Sequence, residues 1–464
     1  MTEKKRPSEK SNSVFSLNDF NSRTQLTEKE QLDEYYNPFE HRSEEGAYST
    51  SGALAHLLKS SLGSGILSMP MAFQHAGLLF GMVGTVIVGI LCTHCVHILV
   101  KTSHEICRKT KIPCLGFAET CERVFEYGPK RIRPWSNFAK QFVDAALMAT
   151  YYGASCVYIV FISTSVHDVV NYDLGINWDI RLYIAMTIIP VLLIGQIRDL
   201  KYLVPFSAMA NVFILVVFGI VLYYMFSVEL DYADKPLMAD VSKIPIFFST
   251  VIFAMEGIGV VMPVENSMRK PQHFLGCPGV LNTAMGVVVG SYAIIGFFGY
   301  VRYGNEVEAS ITLNLTKGEP LADVAKLLMA VAILFTYGLQ FYVPNDILWR
   351  KIKHRVPENR HNASQIALRT GIILISAAVA ALVPQLRPFI GLVGAIFFSV
   401  LGLLVPCVVE TIFNWPHNLG TLKWKLWKNM VLGVMAIFAL VAGSTVSIGE
   451  IIDMYNGKPI SGGH

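Results

Sequence analysis

Eleven apolar segments of membrane-spanning length constrain this chain more than any other feature of its sequence. About 20 consecutive apolar residues cross the hydrocarbon core of a bilayer as a helix. The segments lie at roughly residues 53–74, 78–101, 137–169, 180–197, 202–226, 245–268, 277–302, 321–346, 366–384, 387–412 and 427–452. Hydrophobic residues make up 53% of the 464 residues, far more than a soluble protein of this length carries. We therefore predict an all-α polytopic membrane protein with eleven transmembrane helices.

Polar segments flank this apolar region at both ends. Residues 1–45 are rich in charged residues and poor in branched apolar ones, a composition that predicts a disordered tail. Residues 46–453 form the predicted transmembrane domain, and residues 454–464 form a second short tail. Within the first tail, Tyr36-Asn37-Pro38-Phe39 resembles two short sorting signals, a tyrosine–bulky-apolar tetrapeptide and Asn-Pro-Phe. Short patterns also arise by chance, so binding of sorting adaptors is one of two interpretations.

The distribution of lysine and arginine predicts the orientation. Every second loop is basic, and the loops between them are neutral or acidic. The basic residues are Lys101, Arg108, Lys109, Lys111, Arg123, Lys130, Arg131, Arg133, Arg198, Lys201, Arg269, Lys270, Arg350, Lys351, Lys353, Arg355, Arg360, Lys423, Lys425 and Lys428. Basic loops face the cytosol. We therefore expect a cytosolic N-terminus and a C-terminal tail that is extracellular or lumenal.

The first apolar segment contains residues that interrupt a membrane helix. They are His56, Lys59, Gly63-Ser64-Gly65 and Pro70. Glycine has a poor helix propensity, and non-helical backbone at membrane depth survives only where it is buried in protein or lines a cavity. A glycine-interrupted span therefore indicates the binding site of a transporter. A kinked helix without a ligand is the alternative.

The sixth segment is interrupted in the same way. It carries Glu256-Gly257-Ile258-Gly259 followed by Pro263. Two broken spans, five apart, predict a five-plus-five inverted repeat with the substrate between the breaks. The half-helix that starts near Gly65 offers backbone amides to a carboxylate, and the half-helix that ends near Met255 offers carbonyl groups to an ammonium. Such a pair suits a zwitterionic α-amino acid.

Several stretches give the chain a family resemblance. They are HLLKSSLGSGILSMP, HCVHILV, CVYIVF, FAMEGIGVVMPVEN, SITLNL and QFYVP. The chain resembles the proton-coupled amino acid transporter family, within the amino acid/auxin permease group. This resemblance implies a LeuT-like fold and symport of protons with small neutral amino acids such as glycine, alanine and proline, by alternating access. It also implies a plasma-membrane or late endosomal and lysosomal location.

The resemblance and the residue chemistry together predict a set of site residues. Substrate binding is expected at Gly63, Ser64, Gly65, Glu256, Gly257 and Tyr158. Proton coupling is expected at His56, where the resemblance places a coupling histidine, or at Glu256, whose protonated form is favoured by low dielectric and a helix C-terminus. A neutral hydrogen-bonded histidine and a structural glutamate are the respective alternatives.

Lys59 has two interpretations as well. LeuT-like carriers that use sodium hold an ion beside this part of the first span, so the Lys59 ammonium could replace that ion. A lysine that reaches the cytosolic interface is the alternative. Asn314 fits the glycosylation acceptor pattern, although the apolar ITLNL around it favours a structural role in an occluded loop.

Other classes of protein are disfavoured. The sequence shows no nucleophile–base set, phosphate loop or metal cluster, so we expect no enzyme activity, no cofactor, no metal and no nucleic-acid partner. Two functions stay open beside proton symport. They are a sodium-coupled carrier of the same fold, which the sodium content of the buffer distinguishes, and an amino acid sensor with little flux, which substrate-evoked current distinguishes.

Overall fold

The computed structural model describes residues 36–42, 47–198, 200–232, 235–255, 257–415 and 419–456. Over these residues the regular structure is helical and no β-strand forms. The α-helices are α1 Thr50–Ser61, α2 Met69–Ala76, α3 Leu78–Thr110, α4 Phe117–Glu126, α5 Ser136–Leu174, α6 Ile180–Gly195, α7 Leu200–Phe226, α8 Ile244–Ala254, α9 Ile258–Asn266, α10 Val280–Tyr303, α11 Pro320–Ile352, α12 His361–Leu382, α13 Leu386–Val393, α14 Val405–Asn414 and α15 Trp424–Tyr455.

Nine helical segments in the described part of the chain are long and apolar enough to cross a membrane. They coincide with nine of the predicted spans. The first predicted span is divided into shorter pieces, and the fourth is α6, an apolar helix of 16 residues. The all-α prediction is confirmed, while the count of eleven transmembrane helices stays a prediction.

The predicted disorder of residues 1–45 does not extend over residues 36–42. Pro38–His41 form a 3₁₀ turn, and its contacts with the helices are described below. Residues 1–35 and the tail from residue 457 onward lie outside the described residues.

The first span breaks after Ser61, which ends α1. The Leu62 amide still donates to the Leu58 carbonyl oxygen (2.7 Å), but Gly63 has a ψ of −141° and leaves the helix. A 3₁₀ helix at Ser64–Ser68 then leads into α2, which has Pro70 in its first turn. Proline suits that position because the first amides of a helix need no intrahelical partner. Residues 65–76 are all buried, as irregular backbone in a membrane requires.

The sixth predicted span breaks between α8 and α9. The Met255 amide donates to the Val251 carbonyl oxygen (2.9 Å) and ends α8, and Gly257 precedes α9. The amides of Val260 and Val261 both donate to the Gly257 carbonyl oxygen, at 3.0 and 3.1 Å. Both predicted breaks therefore occur at their glycines.

Close packing holds α2 in the centre of the bundle. Phe73, which is fully buried, lies between Gly81 of α3 and Gly296 of α10. A Cβ atom at these two glycines would lie 2.7 and 2.4 Å from the Phe73 ring. The small residues thus allow the ring to fill the space between three helices, and this fixes the second half of the broken span.

Basic loops meet their neighbours at one end of the bundle. Lys351, in the last turn of α11, donates to the Asp144 carboxylate (2.6 Å), and Arg198, after α6, donates to the Asn362 side chain (2.6 Å). We call this end the basic face; the positive-inside rule predicts that it lies in the cytosol.

Candidate functional site

The two breaks cross in direct backbone contact. A Cβ atom on Gly65 would lie 2.7 Å from Cα and 2.8 Å from the carbonyl oxygen of Ala254, the last residue of α8. Real Cβ atoms do not approach backbone atoms so closely, so only glycine fits at this crossing. Gly65 therefore sets the distance between the two broken spans.

A buried tyrosine joins the same two breaks. The hydroxyl of Tyr292, on α10, lies 2.6 Å from the Ala254 carbonyl oxygen and within hydrogen-bond distance of the Ser61 carbonyl oxygen. Ser61 and Ala254 are the last residues of α1 and α8, where carbonyl groups lack intrahelical partners. The single Tyr292 proton is donated to one of these carbonyls at a time, and the side chain is fully buried. Tyr292 thus holds the two helix ends together.

The sequence did not reveal Tyr292. It lies in the apolar stretch SYAIIGF, where a tyrosine is an ordinary core residue. Its carbonyl partners are 38 and 231 residues away along the chain. No local pattern could have predicted that contact.

At each break one helix ends and the next helix starts within a few residues. The C-termini of α1 and α8 carry negative partial charge, and the starts of the 3₁₀ helix at Ser64 and of α9 at Ile258 carry positive partial charge. An ammonium group is stabilised near the carbonyl ends and a carboxylate near the amide starts. The arrangement is therefore suited to a small zwitterion. Glu256, the predicted partner of the ammonium, lies outside the described residues.

Two small cavities lie beside the start of α9. The first, of about 40 Å³, borders Ser61, Met255, Gly257 and Phe398. The second, of about 30 Å³, borders Tyr151, Gly257 and Phe398. One water molecule needs about 10–15 Å³, so the first cavity has room for about three or four waters and the second for about two or three. The space next to Gly257 suits only a ligand with few heavy atoms.

Tyr151 contacts the second break, whereas the residue predicted to bind substrate was Tyr158. A Cβ atom on Gly259 would lie 2.6 Å from the Tyr151 hydroxyl oxygen, and Tyr151 borders the second cavity. Tyr158, seven residues later on α5, is buried in the central apolar core and is absent from the described linings of both cavities. Two turns of a helix separate the two tyrosines.

The other predicted substrate-binding residues lie along the first break. Gly63 has space around it, since a Cβ atom there would find the Ser60 carbonyl oxygen at 3.9 Å as its nearest neighbour. Ser64 begins the 3₁₀ helix, and its side chain lies outside the described part of the structure. The steric requirement for glycine is therefore strong at Gly65 and weak at Gly63.

The two predicted ionisable residues of α1 lie between the break and the basic face. His56 is partly buried and packs on Tyr48, with 4.3 Å between ring centroids. It precedes the end of α1 by five residues, or roughly 7.5 Å along the helix axis. Lys59 donates a hydrogen bond from Nζ to the hydroxyl of Ser207 on α7. Lys59 therefore connects the first broken span to α7.

Asn314 uses its side-chain amide within the loop that contains it. Its Nδ2 donates to the Glu306 carbonyl oxygen (2.7 Å), and its Oδ1 accepts from the Glu308 amide (2.9 Å). Glycosylation would modify the nitrogen that makes the first of these bonds. The contacts favour the structural interpretation of Asn314.

Comparisons with known proteins cover nearly the whole chain. Residues 47–448 match the family model of transmembrane amino acid transporter proteins. The chain is 39% identical over 421 residues to the "Proton-coupled amino acid transporter-like protein pathetic" of Drosophila melanogaster, covering 91% of this chain and 89% of that protein. It is 25% identical over 416 residues to the "Probable amino acid transporter skat-1" of Caenorhabditis elegans, covering 87% and 90%.

A solved structure shares the fold. The inward-facing conformation of Mhp1 matches with a TM-score of 0.52 at 12% sequence identity, covering 90% of this chain and 94% of that one. At this identity the likeness concerns the fold alone. It confirms the predicted LeuT-like class.

Proposed function

This chain belongs to the family of transmembrane amino acid transporter proteins, and from that premise we propose that it is a proton-coupled symporter of small neutral amino acids. The proposed substrates are of the glycine, alanine and proline class. Transport occurs by alternating access in the plasma membrane or in late endosomal and lysosomal membranes. The family is one of transporters, not of enzymes.

The crossing of the two breaks is the observation that carries this proposal. Gly65 and Ala254 touch through their backbones, and Tyr292 links the carbonyl ends of α1 and α8 at the same point. In our proposal the substrate carboxylate binds the amides that follow Gly63, and the substrate ammonium binds near the end of α8, next to Glu256. Because backbone groups supply most of these contacts, they recognise the part that all α-amino acids share.

The size of the cavities supports small substrates. The two cavities beside Gly257 hold about two to four waters each, and Phe398, a fully apolar side chain, lines both. A glycine, alanine or proline side chain adds few atoms to the zwitterion, whereas a large aromatic side chain needs Phe398 to move. We therefore propose that Phe398 limits substrate size.

Coupling is proposed to use His56 as the proton carrier. The unperturbed pKa of histidine, about 6.5, lies between the pH values of an acidic exterior and the cytosol. Glu256 in this scheme organises the second break and the substrate amine. The curated relative that is 39% identical is itself named as proton-coupled transporter-like.

The Lys59 contact supports coupling without sodium. A lysine ammonium next to Ser207 already supplies a positive charge between the first span and α7. We propose that this charge takes the part of the sodium ion that sodium-dependent carriers of the fold hold beside the first span. A second cation at the same place would be repelled.

Uptake measurements test the proposed function. Cells that present the protein at the surface are supplied with labelled glycine, alanine or proline at about pH 5.5 and about pH 7.5, with and without sodium. We expect faster uptake at the acidic pH and no effect of sodium. Uptake that requires sodium would favour the sodium-coupled alternative, and specific binding without flux or current would favour a sensor.

A further inference from the structure

The segment at residues 36–42 is folded against the basic face of the helices. Its Arg42 Nε donates to the Pro113 carbonyl oxygen (2.9 Å), which lies in the loop after α3. Further along, the Tyr48 amide donates to the Ser267 carbonyl oxygen (2.7 Å), and the Arg269 amide donates to the Tyr48 carbonyl oxygen (2.9 Å). The chain before α1 is thus attached both to the loop after α3 and to the end of α9.

A buried ion cluster makes the central attachment. Glu265, in the last turn of α9, has a side chain only 1% exposed. Its Oε1 lies 2.8 Å from Arg42 Nη1 and 2.7 Å from His104 Nε2, and Arg42 also donates to the Glu265 carbonyl oxygen (3.1 Å). A carboxylate so deeply buried depends on its cationic partners, because an unpaired buried charge is costly. Arg42 is therefore a principal contact between this segment and the helices.

The docked segment contains the tetrapeptide that resembles a sorting signal. In it, Asn37 caps a 3₁₀ turn, with the Phe39 amide donating to its Oδ1 (3.2 Å), and the Tyr36 ring stacks on His41 at 4.7 Å. Pro38 is buried, and Phe39 packs edge-on against His104 with ring centroids 4.9 Å apart. The motif is thus folded into a turn, with its apolar residues against the helices.

This conformation excludes recognition of the motif as an extended peptide. Domains that bind a peptide by strand addition need its backbone free and its alternate side chains available for pockets. Here the backbone forms a turn, and the Tyr36 and Phe39 rings pack against His41 and His104, respectively. The Arg42–Glu265 pair lies three residues beyond the motif and holds the turn in place.

We propose that Tyr36–Phe39 is a concealed docking motif for a sorting adaptor, which binds it only when Arg42 has left Glu265. The partner is a peptide-binding domain that takes a tyrosine and a bulky apolar residue three positions later in extended form. The proposal uses the predicted cytosolic position of the tail and is independent of the substrate and of the coupling ion.

Docking and adaptor binding are therefore mutually exclusive. Glu265 belongs to α9, whose first turn borders the cavities beside Gly257. Any movement of α9 that withdraws Glu265 from Arg42 favours release of the tail, and capture of the tail by an adaptor removes a restraint on α9. The two equilibria are linked by the same ion pair.

Binding of an adaptor domain to the purified full-length protein tests the proposal. The probe is the tyrosine-motif-binding domain of a clathrin adaptor medium subunit, and a synthetic peptide of residues 31–42 is the reference ligand. Because only the undocked fraction is competent, the intact protein should bind about 10-fold to 100-fold more weakly than the peptide, the range expected for a charge-assisted hydrogen bond.

Variants distinguish a concealed motif from a tetrapeptide that the adaptor does not recognise. Arg42→Gln, which changes only the tail, and Glu265→Gln should both raise the affinity toward that of the peptide. Arg123→Gln is the matched control, because Arg123 pairs with a Glu126 side chain that is 48% exposed, and it should change nothing.

Two results would overturn the proposal. If the unmodified protein binds the probe as tightly as the peptide does, the motif is not concealed. If the probe binds neither the peptide nor the Arg42→Gln protein, the tetrapeptide is a chance pattern.

Discussion

Replacement of Gly65 by alanine perturbs the contact on which the proposed site depends. The new Cβ would lie 2.7 Å from the Ala254 Cα, about 0.8 Å closer than a normal carbon–carbon contact of about 3.5 Å. The obstructing atoms are backbone, so the two broken spans must separate. Overpacking of this kind costs about 1–3 kcal/mol, which corresponds to a decrease of roughly 5-fold to 150-fold in a rate that requires the two breaks in contact.

Gly63→Ala is the matched control for this prediction. Its Cβ has 3.9 Å to the nearest atom, so the same methyl group is accommodated two residues away. Both variants are assayed for amino acid uptake, normalised to the amount of protein at the cell surface, and for thermal stability in detergent. We expect Gly65→Ala to lose uptake and Gly63→Ala to keep most of it. Equal uptake by the two variants would refute the crossing as the basis of the site.

Three further predictions address the buried tyrosine, the coupling residues and the orientation. Tyr292→Phe leaves two buried carbonyl groups without their donor, so the protein should lose about 1–3 kcal/mol of stability together with uptake, measured by denaturation and flux; unchanged values would contradict the bridging role. His56→Ala should lose proton-driven accumulation, whereas Glu256→Gln should first lose substrate affinity; the opposite pattern, read from uptake against pH and substrate concentration, would reverse the two roles. On intact cells that carry the protein at the surface, an antibody should reach a tag after His464 and not one before Met1, and the reverse would contradict the predicted orientation.

The positions of the breaks were predictable from the sequence because two independent constraints coincide there. Glycine disfavours helix at Gly63, Gly65 and Gly257, and lipid excludes irregular backbone that is not buried. The pairing of two such interruptions five spans apart then indicated the inverted repeat. The family resemblance implies the same fold, and the match to the family model over residues 47–448 confirms the resemblance.

Contacts between distant parts of the chain were not predictable. Tyr292 looks like an ordinary residue of an apolar helix until the fold places it against the breaks. The polar composition around Arg42 predicts disorder, yet a buried carboxylate 223 residues away gives this segment a partner. The composition of a segment indicates how much apolar surface that segment can bury by itself. It gives no information about a buried charge elsewhere in the chain with which the segment can pair.

Proton flux in reconstituted vesicles tests the central claim most directly. The purified protein is placed in proteoliposomes that contain a pH-sensitive dye, in a sodium-free buffer, and labelled alanine is added outside. We predict that alanine entry acidifies the interior, and that vesicles containing the Gly65→Ala protein show alanine entry and acidification that are both reduced by roughly 5-fold or more. Alanine entry without acidification, or entry only after sodium is added, would contradict proton-coupled transport.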